Sequence, residues 1–156
     1  MTTINRVVIT GIGIVSPVGL TRESTWKNLV AGRSGISHIS TFTTEGLETK
    51  IAGEVNDFDP ITYLGPKEAR RMDRFVQFGV VAALEAVEQS KLEINDNNAE
   101  RIAVIVASGI GGIGTIEQQI GVMDKKGASR VSPFLVPMIL CIPSARCATV
   151  QLQLSL

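Results

Sequence analysis

The glycine-rich run at residues 109–114 is the first segment whose residue types and spacing suggest chemistry. Gly109, Gly111 and Gly114 form the pattern G-x-G-x-x-G between a predicted strand and a predicted helix. Backbone N–H groups at a helix N-terminus attract phosphate, and glycine lets the phosphate approach closely. A dinucleotide site also needs an acidic residue about 20 residues later, and residues 129–133 contain none. We therefore favour tight turns and close strand–helix packing as the role of these glycines. A small nucleotide-binding α/β module that uses Gly109–Gly114 is the alternative.

Thiol and imidazole chemistry has few candidates. The sequence contains two cysteines, Cys141 and Cys147, and one histidine, His38. A thiolate nucleophile needs a neighbouring cation or a helix N-terminus; Arg146 is a weak cue beside Cys147, and Cys141 lies in an apolar run. These residues are too few for a zinc site. We expect a loop histidine and two incidental thiols, with a Cys–His pair as the less favoured alternative.

A short run, Lys67–Arg74, carries real positive charge. Its four basic residues, Lys67, Arg70, Arg71 and Arg74, outnumber Glu68 and Asp73. Such a patch can dock an acidic partner. The alternative is an ordinary solvated helix face.

The elements that would position these residues follow an α/β order. Two apolar, β-branched runs, Arg6–Ile14 and Ile102–Ala107, predict strands buried on both faces, as in a parallel sheet. Helices are predicted after the capping residue Thr21, after Pro66, over Phe75–Glu88 and over Thr115–Asp124. A further strand is possible at Lys50–Val55, and the alternation of Val150, Leu152 and Leu154 predicts an exposed edge strand.

Composition restricts the class of protein. The chain has 156 residues, of which 44% are hydrophobic and 19% charged, with zero formal net charge. This length fits one domain or an incomplete part of one, and the composition excludes disorder. Zero net charge argues against a dedicated nucleic-acid binder and favours self-association. We read no signal peptide and no run long enough to span a membrane, so a cytoplasmic protein is expected.

Five ordered segments carry a family resemblance. They are RVVITGIGIVSPVG (6–19), STWKNLVAGRSGI (24–36), KEARRMDRFV (67–76), SGIGGIG (108–114) and RVSPFLVP (130–137). Together they resemble the β-ketoacyl-[acyl-carrier-protein] synthases of fatty-acid synthesis, most closely the type II elongating condensing enzyme. The resemblance extends from Arg6 to about Leu140.

The resemblance implies a fold and a reaction. The family has a thiolase-like fold of two similar α/β halves, usually in a homodimer. This chain would then be part of the N-terminal half, with an incomplete mixed or parallel sheet flanked by helices. The family transfers an acyl group from acyl-carrier protein to a cysteine, and the carbanion from decarboxylated malonyl-carrier protein attacks that thioester. Two histidines stabilise the developing charge, and no metal or organic cofactor takes part. No nucleic acid or membrane is expected as a partner.

The resemblance also assigns pocket residues. Ile110 matches the family residue that gates the acyl pocket, and Phe134 matches one that lines it across the dimer interface. The alternative for each is a core or interface residue.

The sequence departs from the family pattern after about Cys141. We expect residues 1–140 to be the N-terminal portion of the synthase domain and residues 141–156 to be a divergent tail, produced by a frameshift or a premature stop. Cys147-Ala148-Thr149 superficially echoes the nucleophile turn but comes too early. We therefore assign no catalytic residue and expect no condensing activity from the chain alone. A non-catalytic subunit of a full-length synthase is a further alternative.

Overall fold

The computed structural model describes residues 6–139, which form two compact units. One unit contains the described residues up to Val55 together with Ala82–Leu92, and the other contains Asn56–Val81 together with the described residues from Glu93 onward. In chain order the elements are α1 (Arg22–Val30), β1 (Ile36–His38), β2 (Ile51–Gly53), α2 (Pro60–Ala69), α3 (Arg74–Ser90), α4 (Ile113–Lys126) and α5 (Leu135–Ile139). Short 3-10 helices lie at Ala99–Arg101 and Ala128–Arg130.

Helix α1 begins where its capping residue predicts. The Thr21 hydroxyl oxygen accepts a hydrogen bond from the Ser24 amide at 3.2 Å, and the Ser24 hydroxyl oxygen accepts one from the Thr21 amide at 3.1 Å. This reciprocal capping box satisfies two N–H groups at the end of the helix. The predicted start after Thr21 is thus confirmed. The face that carries Trp26 and Val30 is exposed in this structure, at 69% and 70%.

A small antiparallel hairpin follows α1. Strands β1 and β2 pair with Ile36 opposite Gly53 and His38 opposite Ile51, which confirms the possible strand within Lys50–Val55. Just beyond β2, the Glu54 carboxylate accepts hydrogen bonds from the amides and hydroxyls of Ser40 and Thr41. The hydroxyl of Thr41 and then that of Ser40 do most to lower the pKa of Glu54, to about 2.

The predicted strand at Arg6–Ile14 is wrong, because this segment has no neighbouring strand in the described structure. Its backbone is instead held by side chains of α3. The Ile12 amide donates to Gln89 Oε1 at 2.7 Å, and the Ile14 amide donates to Glu85 Oε2 at 2.9 Å. A side chain added at Gly11 or Gly13 would overlap the backbone of α3. Glycine is therefore needed here for close approach of the segment to the helix.

The second unit contains the most buried side chains of the described chain. Asp59 caps α2, accepting from the Ile61 amide at 3.0 Å. Gly65, at φ 72°, breaks the helix before Pro66. The predicted helix start at Pro66 therefore corresponds to the second half of α2. The core lies between α2 and the first half of α3 and consists of Phe58, Leu64, Ala69, Met72, Val76, Val80 and Val81.

The predicted strand at Ile102–Ala107 is also wrong in the described structure. No strand lies beside it, and Ile105 is 91% exposed. A strand needs hydrogen bonds from another segment, whereas a helix makes its own. The predicted helix at Thr115–Asp124 is confirmed within α4, which ends at Gly127 with φ 87°. The predicted edge strand at residues 150–154 lies outside the described residues.

Candidate functional site

The glycine run of the second unit is packed between two side chains. A Cβ on Gly111 would lie 2.5 Å from the Phe75 ring, and one on Gly112 would lie 2.7 Å from the Ile139 side chain. Gly112 also has φ 74°, a conformation that favours glycine. Nothing lies within 4 Å of such an atom at Gly109 or Gly114. The central glycines therefore serve close packing, while the outer two have no neighbour that requires them.

A hydrogen bond between side chains joins the first turns of α3 and α4. One oxygen of Asp73 accepts from the Phe75 amide at 3.2 Å, which caps α3, and the other accepts from the Thr115 hydroxyl. Because Thr115 and Gly112 belong to the start of α4, this bond fixes the end of the glycine run against α3. The two partners are 42 residues apart, so no local sequence signal predicted the pair.

A cleft of about 510 Å³ lies beside this bond. Its walls are mainly apolar: Met72, Phe75, Phe78, Ile113 and Met138, with Gly112 and Gly114 between them and Asp73, Arg74, Thr115 and Gln118 as polar members. The Arg74 guanidinium lies 5.1 Å from the centre of the Phe78 ring and 5.7 Å from that of Phe58, so its charge is held against aromatic faces. Such a cleft can bind an apolar chain, and no cysteine or histidine is among its lining residues.

The two predicted pocket residues lie outside this cleft. Ile110 is 80% exposed in the glycine run, and Phe134 is 57% exposed just before α5. His38 is exposed at the end of β1 in the first unit. The two cysteines lie outside the described residues. The alternative of a Cys–His pair therefore stays a prediction.

The basic run is divided between two environments. Arg74 is exposed and lies against the aromatic rings, and Lys67, Arg70 and Arg71 are exposed along the end of α2 and just after it. Arg71 also lies 3.8 Å from Glu68, in an exposed ion pair that contributes little to stability. Lys67, Arg70 and Arg71 are thus three exposed cations within a short stretch of the chain.

Residues 6–139 contain neither a metal-binding cluster nor a membrane-spanning helix. Within that range, no group of three or more His, Cys, Asp or Glu residues is arranged to hold a metal ion. No helix in the same range has both the length and the apolar character needed to cross a bilayer.

Comparison with known proteins identifies the class. Residues 4–154 match the family model for the β-ketoacyl synthase N-terminal domain. This chain belongs to the β-ketoacyl synthase family. Its described part is accordingly a partial thiolase-like α/β fold, as the sequence resemblance predicted.

Two individual members of the family are similar to this chain over most of its length. Over 132 residues the chain is 50% identical to 3-oxoacyl-[acyl-carrier-protein] synthase 2 of Vibrio cholerae, covering 85% of this chain and 32% of that protein. Over 135 residues it is 48% identical to the enzyme of the same name from Staphylococcus aureus, covering 86% of this chain and 33% of that protein. The chain thus spans about a third of the length of these relatives.

Solved structures give the same fold. A β-ketoacyl synthase from Burkholderia phymatum matches with a TM-score of 0.73 and 21% identity, covering 96% of this chain and 37% of that one. The ishigamide ketosynthase/chain length factor matches with a TM-score of 0.69 and 27% identity, covering 93% and 36%. A third neighbour, at TM-score 0.70 and 18% identity, covers 94% of this chain and 38% of its own; it is a ketosynthase in complex with its type II PKS acyl-carrier protein.

Proposed function

We propose that this chain is the N-terminal portion of a 3-oxoacyl-[acyl-carrier-protein] synthase of fatty-acid elongation. The observation that carries the proposal is the 50% identity to the Vibrio cholerae synthase over 132 residues. The reaction is the decarboxylative condensation of malonyl-carrier protein with an acyl-enzyme thioester. In that reaction this portion supplies one wall of the acyl pocket and part of the carrier-docking surface, and no metal or organic cofactor is involved.

The proposed pocket wall consists of Ile110 and Phe134. Both side chains are large, apolar and mostly exposed in this chain, at 80% and 57%, so each is available to contact an acyl chain. The packing of Gly111 under Phe75 and the αL conformation of Gly112 restrict the backbone next to Ile110. A backbone with few allowed conformations holds the neighbouring side chain in one position, and that side chain can then limit the depth of a pocket.

A chimaera tests the function and the gate together. Residues 6–139 of this chain would replace the matching segment of the Vibrio cholerae enzyme, and the 3-oxoacyl products would be measured by mass spectrometry. We expect turnover of malonyl-carrier protein with medium and long acyl primers. Ile110→Trp should remove the longest primers first because the larger side chain shortens the pocket. Ile61→Trp, at an exposed position of α2, is the matched control. A folded chimaera without condensation would refute the function, and unchanged chain-length selectivity in Ile110→Trp would refute the gate.

The carrier-docking surface is proposed from charge. Lys67, Arg70 and Arg71 are exposed together, and acidic partners are attracted to such surfaces in a salt-dependent way. Binding of acyl-carrier protein to the full chain should weaken about tenfold in Lys67→Glu/Arg70→Glu, whereas Lys27→Glu on α1 should leave it unchanged. Equal affinities for both variants would exclude this surface.

The chain alone is not expected to turn over. It contains one histidine, whereas the resemblance assigns two to the reaction. Incubation with acyl-carrier protein and malonyl-carrier protein should give no CO₂ release and no stable acyl adduct on Cys147 by intact mass. Either product would contradict this expectation.

A further inference from the structure

The cleft beside the Asp73–Thr115 bond is separate from the proposed pocket wall. All of its lining residues belong to the second unit, and neither Ile110 nor Phe134 is among them. Its volume of about 510 Å³ lies within the range of about 300–1,000 Å³ that is typical of small-molecule sites. The cleft is therefore large enough to bind a molecule that takes no part in the proposed condensation.

Gly114 lines this cleft, although neither packing nor backbone conformation requires a glycine there. No atom lies within 4 Å of a Cβ added at this position, and its φ is not positive. It also lies inside α4, where glycine weakens a helix. Because Gly114 is part of the lining, the space that its missing side chain leaves open adds to the cleft.

The apolar side of the cleft consists largely of aromatic rings and thioethers. Phe75 and Phe78 provide the rings, and Met72 and Met138 provide the sulfur atoms. Aromatic rings attract one another, edge to face or offset, beyond what burial alone gives. A thioether sulfur also makes favourable contacts with a ring, whereas an alkyl chain gains from burial only. These walls therefore favour a flat aromatic ring over an alkyl chain of equal size.

Arg74 gives the cleft a cation beside these walls. Its guanidinium lies over the Phe78 ring, 5.1 Å from the centroid. A guanidinium has five N–H donors in its own plane, and a carboxylate can accept two of them side by side. Asp73 is the opposing charge, but its oxygens already accept hydrogen bonds from the Phe75 amide and the Thr115 hydroxyl. The arrangement fits a ligand whose carboxylate lies beside Arg74, with an affinity that repulsion from Asp73 limits.

We propose that this cleft is a binding site for an aromatic carboxylate, whose ring lies against the phenylalanines and methionines and whose carboxylate binds Arg74. The site goes beyond the proposed condensing role and does not rest on it. It can be tested on the full chain alone, with 2-naphthoate as the probe. The uncharged analogue is 2-naphthol, and decanoate is an alkyl acid of comparable size.

Methionine methyl resonances report directly on the cleft. The chain has four methionines; Met72 and Met138 line the cleft, whereas Met123 lies on α4 outside the lining. In a ¹³C-methyl titration of the full chain, 2-naphthoate should shift the Met72 and Met138 signals saturably, with a Kd of about 100 μM. The Met123 signal should stay in place. Decanoate should bind at least about tenfold more weakly, because it makes no ring contacts.

Arg74→Gln tests the charge. Binding of 2-naphthoate should weaken at least about tenfold, because the carboxylate loses its charged partner. Binding of 2-naphthol should be unchanged, which a merely structural role of Arg74 would not give. Arg101→Gln is the matched control, since it removes an exposed cation of the same unit that does not line the cleft.

Gly114→Leu tests the position of the site. The new side chain should occupy part of the cleft and weaken the binding of both naphthalene ligands at least about tenfold. Gly121→Leu is the matched control, because Gly121 also lies inside α4 with no atom within 4 Å of an added Cβ but does not line the cleft. Leucine is a better helix former than glycine, so both variants should keep the far-UV circular dichroism of the original chain.

Each part of the proposal has its own contrary result. If 2-naphthoate gives no saturable shift, if Met123 shifts as much as Met72 and Met138, or if Gly114→Leu binds as the original chain does, the site is refuted. Decanoate binding as tightly as 2-naphthoate would refute the aromatic class, and equal losses of both naphthalene ligands in Arg74→Gln would refute the carboxylate contact. None of these measurements involves condensation, so their failure leaves the proposed function in place, and an inactive chimaera leaves the site in place.

Discussion

The Glu85 side chain replaces a neighbouring strand, and its removal gives the sharpest test of the first unit. Its Oε2 accepts from the Ile14 amide at 2.9 Å, and its Oε1 accepts from the Arg22 amide at 2.7 Å. One carboxylate thus joins the N-terminal segment and the start of α1 to α3. The perturbation is Glu85→Gln, which keeps the shape of the side chain but exchanges one acceptor oxygen for an NH₂ group.

The magnitude follows from these two bonds. A hydrogen bond to a charged acceptor contributes about 1.5–3 kcal/mol, and an unpaired half-buried donor costs a similar amount. In Glu85→Gln one amide keeps a neutral acceptor while the other faces a donor. We therefore expect the free energy of unfolding to fall by about 2 kcal/mol. Glu88→Gln removes the same charge from an exposed position of α3 and should change stability by less than about 0.5 kcal/mol.

Urea denaturation and amide exchange measure the effect on the full chain. A loss of about 2 kcal/mol corresponds to a midpoint lower by about 1 M urea. The same loss should make the Ile14 and Arg22 amides exchange with solvent up to about 30-fold faster. The Glu88→Gln variant should match the original chain in both measurements. If the two variants have the same midpoint, or if those two amides exchange at their original rates in Glu85→Gln, the carboxylate does not hold the segment.

Four further substitutions probe the local features. The pKa of Glu54 is lowered in the folded chain from 4.5 to about 2, so its contribution is complete above pH 4.5 and is lost as the pH falls toward 2. The stability of Glu54→Gln should therefore fall less steeply over that interval in acid titrations of thermal unfolding. Gly112→Ala should destabilise by about 1–2 kcal/mol because of its positive φ, whereas Gly121→Ala, with open space inside α4, should stabilise by about 0.5–1 kcal/mol; urea midpoints that shift in the same direction would contradict this. Thr115→Val should cost about 1–2 kcal/mol through loss of the bond to Asp73, and a midpoint equal to that of the original chain would show that the bond contributes nothing.

The sequence predicted the helices well because helical signals are local. Thr21 and Ser24 lie three residues apart, so the capping box can be read directly from the chain. Gly127 follows the last residue of α4 directly, so the end of this helix can also be read from neighbouring residues. The sequence predicts a helix start at Pro66. The structure has a break at Gly65, just before this proline, and the helix as a whole begins earlier, at Pro60. In each case the groups that form the hydrogen bond or the turn are neighbours in sequence.

The candidate site was predicted less completely, because its geometry depends on distant pairs. The glycine run was singled out from its spacing, but that spacing could not distinguish a phosphate cradle from close packing. Phe75 over Gly111 and Asp73 with Thr115 decide the local structure. Both pairs join α3 to a segment about 40 residues away. The hydrophobic periodicity of one segment does not predict which residues of the other segment it will contact.

The two wrong strand predictions concern segments whose backbone lacks the usual neighbouring strand. In one of them, side-chain oxygens accept the hydrogen bonds that such a strand would accept. Arg6–Ile14 and Ile102–Ala107 both have the composition of a buried strand, yet neither has a neighbouring strand within residues 6–139. Composition measures how well a segment would fit a sheet, whereas backbone N–H groups require an acceptor in every fold. In the first segment Gln89 and Glu85 provide two such acceptor oxygens, one for the Ile12 amide and one for the Ile14 amide. Acceptors on a single helix hold one edge of an extended segment and bury little of it, and Val7 is 94% exposed.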